Sequence, residues 1–478
     1  MPNTNNVFTP NPKMLIMVAL YMVAMVVLGV LSSKRENKDS IKEFALAGKG
    51  LSSFILIGTF VSTWLGGGTI TGSVNSLAYN YGIGPALTYL LPSVLGTVLL
   101  YIMGPIVRRR GKMTIAGLLE DSYGKTARVI SAIIIALASF SIVSFQYRGL
   151  GIVLNASTGL NVDIATFVGC IVVIALAFSG GLRSVAYTDA VSAAIMLGGL
   201  GIAVPFILKA VGGWDWVVQQ AAIEAPHALT FTGGWGVKEY VVNLLPPFLL
   251  ALGDQNLYQR MAAARDDKSV KVGMIGWALG MVVVCPIIAL LGFVGRVYFS
   301  TNIEAAQSMI ATSTLCPWWV GGLMMAAATA FIITTGDSYL LSGATNISTD
   351  VYTRINKDAT DKQMLSVTKI SLVVFGLLSL AILRFFPSIL AIQYWSYTIV
   401  GAGITPALLG CVLFPNKVTK WGGLSSMCIG TILTIVWEML GQPFGVATVL
   451  VAFPVSLILL IVVSAFTQKC RLSVEGEE

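Results

Sequence analysis

Apolar residues run along this chain in blocks of about twenty, long enough to cross a bilayer as helices, with short polar turns between them. Thirteen such segments can be drawn, near 12–33, 51–80, 84–107, 126–156, 161–179, 186–208, 236–260, 270–296, 317–347, 364–384, 388–414, 421–440 and 444–467. We number them spans one to thirteen. Span two contains "VSTWLGGGTITG" (61–72), where Gly66, Gly67 and Gly68 stand in a row. Each glycine costs a helix interior about 1 kcal/mol relative to alanine. Five spans later, "VVNLLPPFLLALGDQNLYQR" interrupts span seven with Pro246, Pro247, Gly253 and Asp254. Non-helical backbone at membrane depth survives only where it is buried in protein or lines a cavity. Interrupted spans at matching positions of two halves point to the midplane site of an inverted-repeat transporter. The pattern predicts an all-α polytopic membrane protein of about 13 transmembrane helices. Its core would be a five-plus-five inverted repeat with broken helices in spans 2 and 7. Residues 1–50 would hold an extra span and the first loop, 51–210 the first repeat and 211–235 an outer loop. The second repeat would take 236–414, and 415–478 two further spans and a short tail.

Composition agrees with this reading. Only 11% of residues are charged and mean hydropathy is +0.82, whereas a soluble domain carries about 25% charged residues. The net charge of +8 would suit a nucleic-acid binder were it not so unevenly placed. Counting span ends, 24 of the 30 Lys and Arg fall in alternate loops, among them Lys34, Arg35, Lys38 and the run Arg108–Arg110. That asymmetry predicts a multi-pass protein of the cell membrane with its N-terminus outside and its C-terminus cytoplasmic, and no nucleic-acid partner. The flank "SKRENKDSIK" makes 12–33 a first span rather than a cleaved leader, and the tail "LSVEGEE" implies no soluble output domain. Six scattered cysteines and one histidine, His227, offer neither a disulfide framework nor a thiol or imidazole metal site. Nothing requires an oligomer or an organic cofactor.

Ionisable groups inside spans are functional candidates. Asp189 opens span six, and Asp337 lies in span nine within "AFIITTGDSYLLSGATNISTDVY". There Thr334, Thr335, Asp337, Ser338, Ser342, Thr345 and Ser348 follow i, i+3, i+4 spacing, lining one helix face with oxygen. Hydroxyls, carboxylates and carbonyls freed by a helix break suit a hard cation. The plainer alternative is that each hydroxyl bonds back to its own helix. Arg148 in span four and Asp254 in span seven either pair with each other or meet a solute. Glu438 reads as interfacial.

"GGLRSVAYTDAVSA" together with "TTGDSYLLSGATNISTDVY" resembles the sodium/solute symporter family, which includes sodium-coupled glucose, proline, pantothenate, sialic acid and choline carriers. The similarity runs from about Lys42 to Phe414. It implies a LeuT-like fold, alternating access, and symport of a small solute with sodium. By position, the family's sodium site would use the carbonyls of Ser62, Leu65 and Phe331 and the hydroxyls of Thr334 and Thr335. A second cation site found in some members would fall on Asp189, Asp337 and Ser338, with Asp337 replacing a hydroxyl. "STWLGGGTITG" and "SVAYTD" are most similar to the choline-carrier branch, which cages its quaternary ammonium with aromatic rings. Trp64 matches one of these, but Ile142 and Asp254 stand at two others, leaving the cage incomplete.

The solute cavity is expected to draw on Trp64, Gly67, Gln146, Arg148, Asp254, Gln255, Tyr394, Trp395 and Tyr397. Aromatic faces and one carboxylate favour an amine or amino acid, with a sugar, vitamin or carboxylate as the alternative. Two other functions compete. "YTD", "TTGD" and "TPAL" mimic the aspartate motifs of intramembrane aspartyl proteases, but Thr335 occupies the glycine position and thirteen spans are too many. A sensor or channel on the same scaffold lacks a signalling domain or a ring of pore elements.

Overall fold

The computed structural model describes residues 9–33 and 40–475. There it is all-helical apart from one isolated β-bridge between Leu51 and Ala264. Lys34, Arg35 and Lys38, counted above, and the end of the tail lie outside the described residues. Among the described residues nine helices are long and apolar enough to cross a membrane, ten with the bent pair Ser53–Trp64 and Gly68–Tyr81. The three other predicted segments are helical but shorter. Spans one and five hold the apolar helices Met14–Gly29 and Val162–Phe178, and span seven is split into Val237–Gly253 and Gln255–Ala263.

Span two breaks because Leu65 leaves helical geometry, at φ −84° and ψ 84°. A π-helical turn, Gly68–Gly72, and a helix, Ser73–Tyr81, continue the span at 47° to its first half. The three glycines are needed for contact with three different spans. A Cβ on Gly66 would stand 2.6 Å from Thr335 Oγ1, one on Gly67 2.9 Å from Gln146 Oε1, and one on Gly68 2.8 Å from Gln393 Nε2.

In span seven the break is confined to Asp254, at φ −73° and ψ 114°. Pro246 and Pro247, read above as part of the interruption, lie inside the first half-helix. Proline's fixed φ near −65° is itself helical, so each forfeits one donor without ending the helix. Asp254 caps the second half-helix, its carboxylate accepting the Asn256 N–H at 2.7 Å. Span eleven is also divided, into Ile389–Gly403 and Thr405–Leu413, which the hydropathy pattern does not reveal.

Span nine, Trp318–Asn346, is the axis of the molecule, packed most extensively against spans four and six. Its most apolar window is 89% buried against 28% for span thirteen, so the first is core and the second periphery. Both midplane breaks face it.

Candidate functional site

At the break in span two, backbone donors turn away from their helix. The Gly66 N–H donates to Trp64 O (3.2 Å) and the Gly67 N–H to Gln146 Oε1 (2.7 Å). The carbonyls they would have met in a continuous helix, Ser62 O and Thr63 O, face span nine instead. Thr334 Oγ1 lies 3.2 Å from Ser62 O, 2.8 Å from Ala330 O and 3.3 Å from Phe331 O. Thr335 Oγ1 lies 3.2 Å from both Ser62 O and Thr63 O and 2.9 Å from Phe331 O. Two hydroxyl protons therefore face the carbonyl oxygens of Ser62, Thr63, Ala330 and Phe331. Ala330 O and Phe331 O also accept backbone N–H groups within their own helix, so the carbonyls freed by the break are those of Ser62 and Thr63. Freed carbonyls beside hydroxyls are the kind of donor set that suits a hard cation. Of the five residues expected at a sodium site, Ser62, Phe331, Thr334 and Thr335 come together here. Leu65 sits at the turn, its N–H on Val61 O (3.0 Å), and the Thr335 hydroxyl reaches Thr63 O in place of its carbonyl.

On the other side of Thr335 lies a central cavity lined by Trp64, Gly66, Gln146, Tyr339 and Tyr397, of only about 10 Å³. That is room for one water, so the solute space is closed in this conformation. Gln393, one helical turn before Tyr397, closes it on one side. Its Nε2 donates to Tyr397 Oη (2.9 Å) and Ser73 Oγ (3.2 Å), and its Oε1 accepts the Ser73 N–H (3.1 Å). On the other side Tyr339 Oη donates to Asp254 Oδ2 (2.5 Å), beyond which a second space of about 10 Å³ touches Ser139, Gly253, Asp254 and Gln255. The Trp64 ring packs edge-on against Trp277 at 5.2 Å, and its Nε1 has no hydrogen-bond partner among the described residues.

Two of the residues expected to form a second cation site, Asp189 and Ser338, already hold a cationic side chain. Arg260, fully buried on the second half-helix of span seven, directs Nη2 to Asp189 Oδ2 (3.1 Å) and to Ser338 Oγ (2.7 Å). Its Nε donates to Thr59 Oγ1 (2.6 Å), which in turn donates to Asp189 Oδ2 (2.5 Å). Sequence reasoning missed Arg260 because it lies close to a span end and reads as an interfacial charge. Asp337 stands apart from the guanidinium. It is 6% exposed, and Ser338 Oγ approaches its carboxylate at 3.4 Å.

Other expected residues fall elsewhere. Arg148 pairs with Asp163 (2.5 Å), not with Asp254, and lines a separate space of about 830 Å³ with Arg384 and Ile389. Tyr394 and Trp395 turn away from the central cavity into a space of about 300 Å³ beside Glu438 and Thr448. On a helix, Gln393 and Tyr397 share a face that Tyr394 and Trp395 do not. Gln255 accepts the Ile115 N–H (2.8 Å), a structural bond that leaves it beside Asp254. In span nine, Ser342, Thr345 and Ser348 hydrogen-bond Tyr339 O, Leu341 O and Thr345 O. The plainer reading holds for this half of the oxygen stripe, and Thr334 and Thr335 bond back as well, to Ala330 O and Phe331 O, besides facing the carbonyls of span two.

Comparison with known proteins gives a consistent picture. The family model described as "Sodium:solute symporter family" matches residues 44–430. The human high affinity choline transporter 1 is 25% identical over 465 residues, 92% of this chain and 79% of that protein. A sodium/pantothenate symporter of Haemophilus influenzae is 24% identical, covering 85% of this chain and 86% of its own. Among solved structures, a Na+-coupled sialic acid symporter in a substrate-bound outward-open state superposes with a TM-score of 0.80 at 18% identity. It covers 95% of this chain and 97% of that one, so the two share a fold.

Proposed function

The chain belongs to the sodium:solute symporter family, and from that premise we propose that it carries a small organic amine or amino acid into the cell with sodium. Its relatives are transporters, not enzymes, and a multi-pass membrane protein with a LeuT-like fold suits that role. One observation supports the reading most strongly. Thr335 belongs both to the oxygen cluster between spans two and nine and to the wall of the central cavity. An ion bound by Ser62, Thr63, Phe331, Thr334 and Thr335 would fix the wall against which a solute rests, coupling the two by contact.

The solute would lie among Trp64, Gly67, Gln146, Tyr339 and Tyr397, with Asp254 and Gln255 on its inner side. Aromatic faces attract an ammonium, and Asp254, unpaired with Arg148, supplies a negative charge behind Tyr339. Opening the Gln393 contacts on one side and the Tyr339–Asp254 contact on the other would give alternating access, with residues 51–210 and 236–414 as the two repeats. Arg260 takes the place of a second cation, so one sodium per cycle is expected. The excess of Lys and Arg in alternate loops supports a cytoplasmic C-terminus and an N-terminus outside.

The test is a thermal-shift screen of amines, amino acids, sugars and carboxylates on the purified chain, with and without sodium, since a ligand that binds only the folded state raises its apparent stability. Stabilisation by an amine that requires sodium is the expected result. Stabilisation by sugars or dicarboxylates alone would overturn the solute class, and the same stabilisation in potassium would overturn sodium coupling.

A further inference from the structure

Thr334 and Thr335 are neighbours in span nine, yet their side chains border two different spaces. Thr335 faces the central cavity with Trp64, Gln146 and Tyr397. Thr334 faces a crevice of about 30 Å³ whose walls include Tyr21 and Gly29 of span one, Ser184 and Thr188 of span six, and Asp337. The two spaces share no lining residue. Nor does the crevice share any with the space around Asp254. The proposed sodium site is thus a partition, with the solute on one side and a separate passage on the other.

The passage carries polar groups among apolar ones such as Met25, Val26, Val185 and Ile333. Asp337 lies one turn beyond Thr334 on the same helix, and it is the next carboxylate a cation leaving Thr334 would meet. Arg260 makes no ion pair with it among the described residues, the guanidinium being bonded to Asp189, Ser338, Thr59 and Asn256. Beyond Asp337 come Thr188, Ser184 and the Gly180 and Gly29 backbones, toward the helix ends that begin span six and end span one. Span one, which lies outside both repeats, forms the far wall. It is fixed there at both levels, by the contact of Tyr21 Oη with Ser192 Oγ (2.9 Å) and the donation of Ser184 Oγ to Gly29 O (3.0 Å). An ionisable group at this depth that neither pairs with an arginine nor touches the solute space calls for a partner that comes and goes.

We propose that sodium leaves its site through this crevice, by way of the Asp337 carboxylate, while the solute leaves on the other side of Thr335. The proposal rests on the reading of Ser62, Thr334 and Thr335 as the sodium site. It gives span one a task, as the wall of an ion path, and gives Asp337 a transit role distinct from that of a stoichiometric ligand.

The experiment measures equilibrium binding and dissociation of ²²Na⁺ on the purified full chain and on Asp337→Asn and Gly29→Leu. The second variant fills the crevice, since a Cβ at Gly29 already comes within 3.2 Å of Ser184 Oγ, without touching an oxygen of the site. Both variants are expected to keep sodium affinity within about twofold and to slow ²²Na⁺ dissociation about tenfold. Wild-type dissociation rates in both would overturn the exit route and leave the sodium site standing. Lost binding in Asp337→Asn with normal dissociation in Gly29→Leu would make Asp337 a ligand and also overturn it. If the wild-type chain binds no ²²Na⁺, the sodium site itself fails and the route with it.

Discussion

The two broken spans carry the same kind of interruption and treat its consequences in opposite ways. In span seven the carbonyls near the break are covered. Thr405 Oγ1 donates to Leu249 O (2.8 Å), Tyr258 Oη to Leu252 O (3.0 Å), and the Asp254 carboxylate accepts the Asn256 N–H and the Tyr339 hydroxyl. In span two the carbonyls of Ser62 and Thr63 are left to two threonine hydroxyls that are shared among several acceptors. Side-chain bonds on both sides pin the break in span seven, which serves as a joint. The other has oxygen to spare and serves as a socket. A buried acceptor without a donor costs on the order of 1–3 kcal/mol, so on the proposed reading a bound cation would stabilise this cluster.

Four substitutions test this contrast, from the largest expected effect to the smallest. Arg260→Gln leaves Asp189 buried without its counter-charge, and loss of one partner of a buried pair costs about 3–5 kcal/mol. The unfolding temperature should drop sharply, and if the guanidinium stands in for a cation, added sodium should restore part of it with a second binding component. Thr335→Ala removes a hydroxyl that touches Ser62 O, Thr63 O and Phe331 O. Sodium-dependent stabilisation should then need about a hundredfold more sodium, a loss of about 2.7 kcal/mol. Asp254→Ala unpairs Asn256 N–H and Tyr339 Oη, so about 2 kcal/mol of stability should go while the sodium midpoint stays put. A shifted sodium midpoint there would dissolve the distinction between joint and socket. Arg148→Ala removes a pair whose Asp163 is 85% exposed, so thermal unfolding should move by less than about 1 kcal/mol and sodium binding not at all.

Much of this was written in the sequence, and the failures have physical causes. Three adjacent glycines in an apolar span, and an aspartate following a glycine five spans on, are costly enough to mark both breaks. The paired threonines of span nine were legible through the family resemblance, although each also bonds back to its own helix, at Ala330 O and Phe331 O. Arg260 was hidden because hydropathy treats a span as a straight rod, and the turn at Asp254 carries the second half-helix, with its arginine, into the core. Pro246 and Pro247 misled because proline weakens a helix without having to break it. Tyr394 and Trp395 were admitted to the cavity by residue type, although helical phase separates them from Gln393 and Tyr397. No pattern in one sequence could have paired Arg148 with Asp163, which depends on the packing of span four against span five.

The contact between Gly66 and Thr335 acts as a gauge. Backbone and side chain are already so near that an added Cβ would fall 2.6–2.8 Å from three atoms of Thr335. The oxygens on either side of the proposed ion would therefore be held at a spacing set by hard contact rather than by a yielding side chain. Such a gauge measures ionic radius. An alanine at this position would act as a shim, forcing the helices apart and opening the ring toward a larger ion. Gly66→Ala is expected to lower the preference for sodium over potassium, read from the stabilisation each ion gives, and an unchanged ratio would show that the ring is compliant. The bare backbone at one residue would then be what tells the protein which alkali metal it holds.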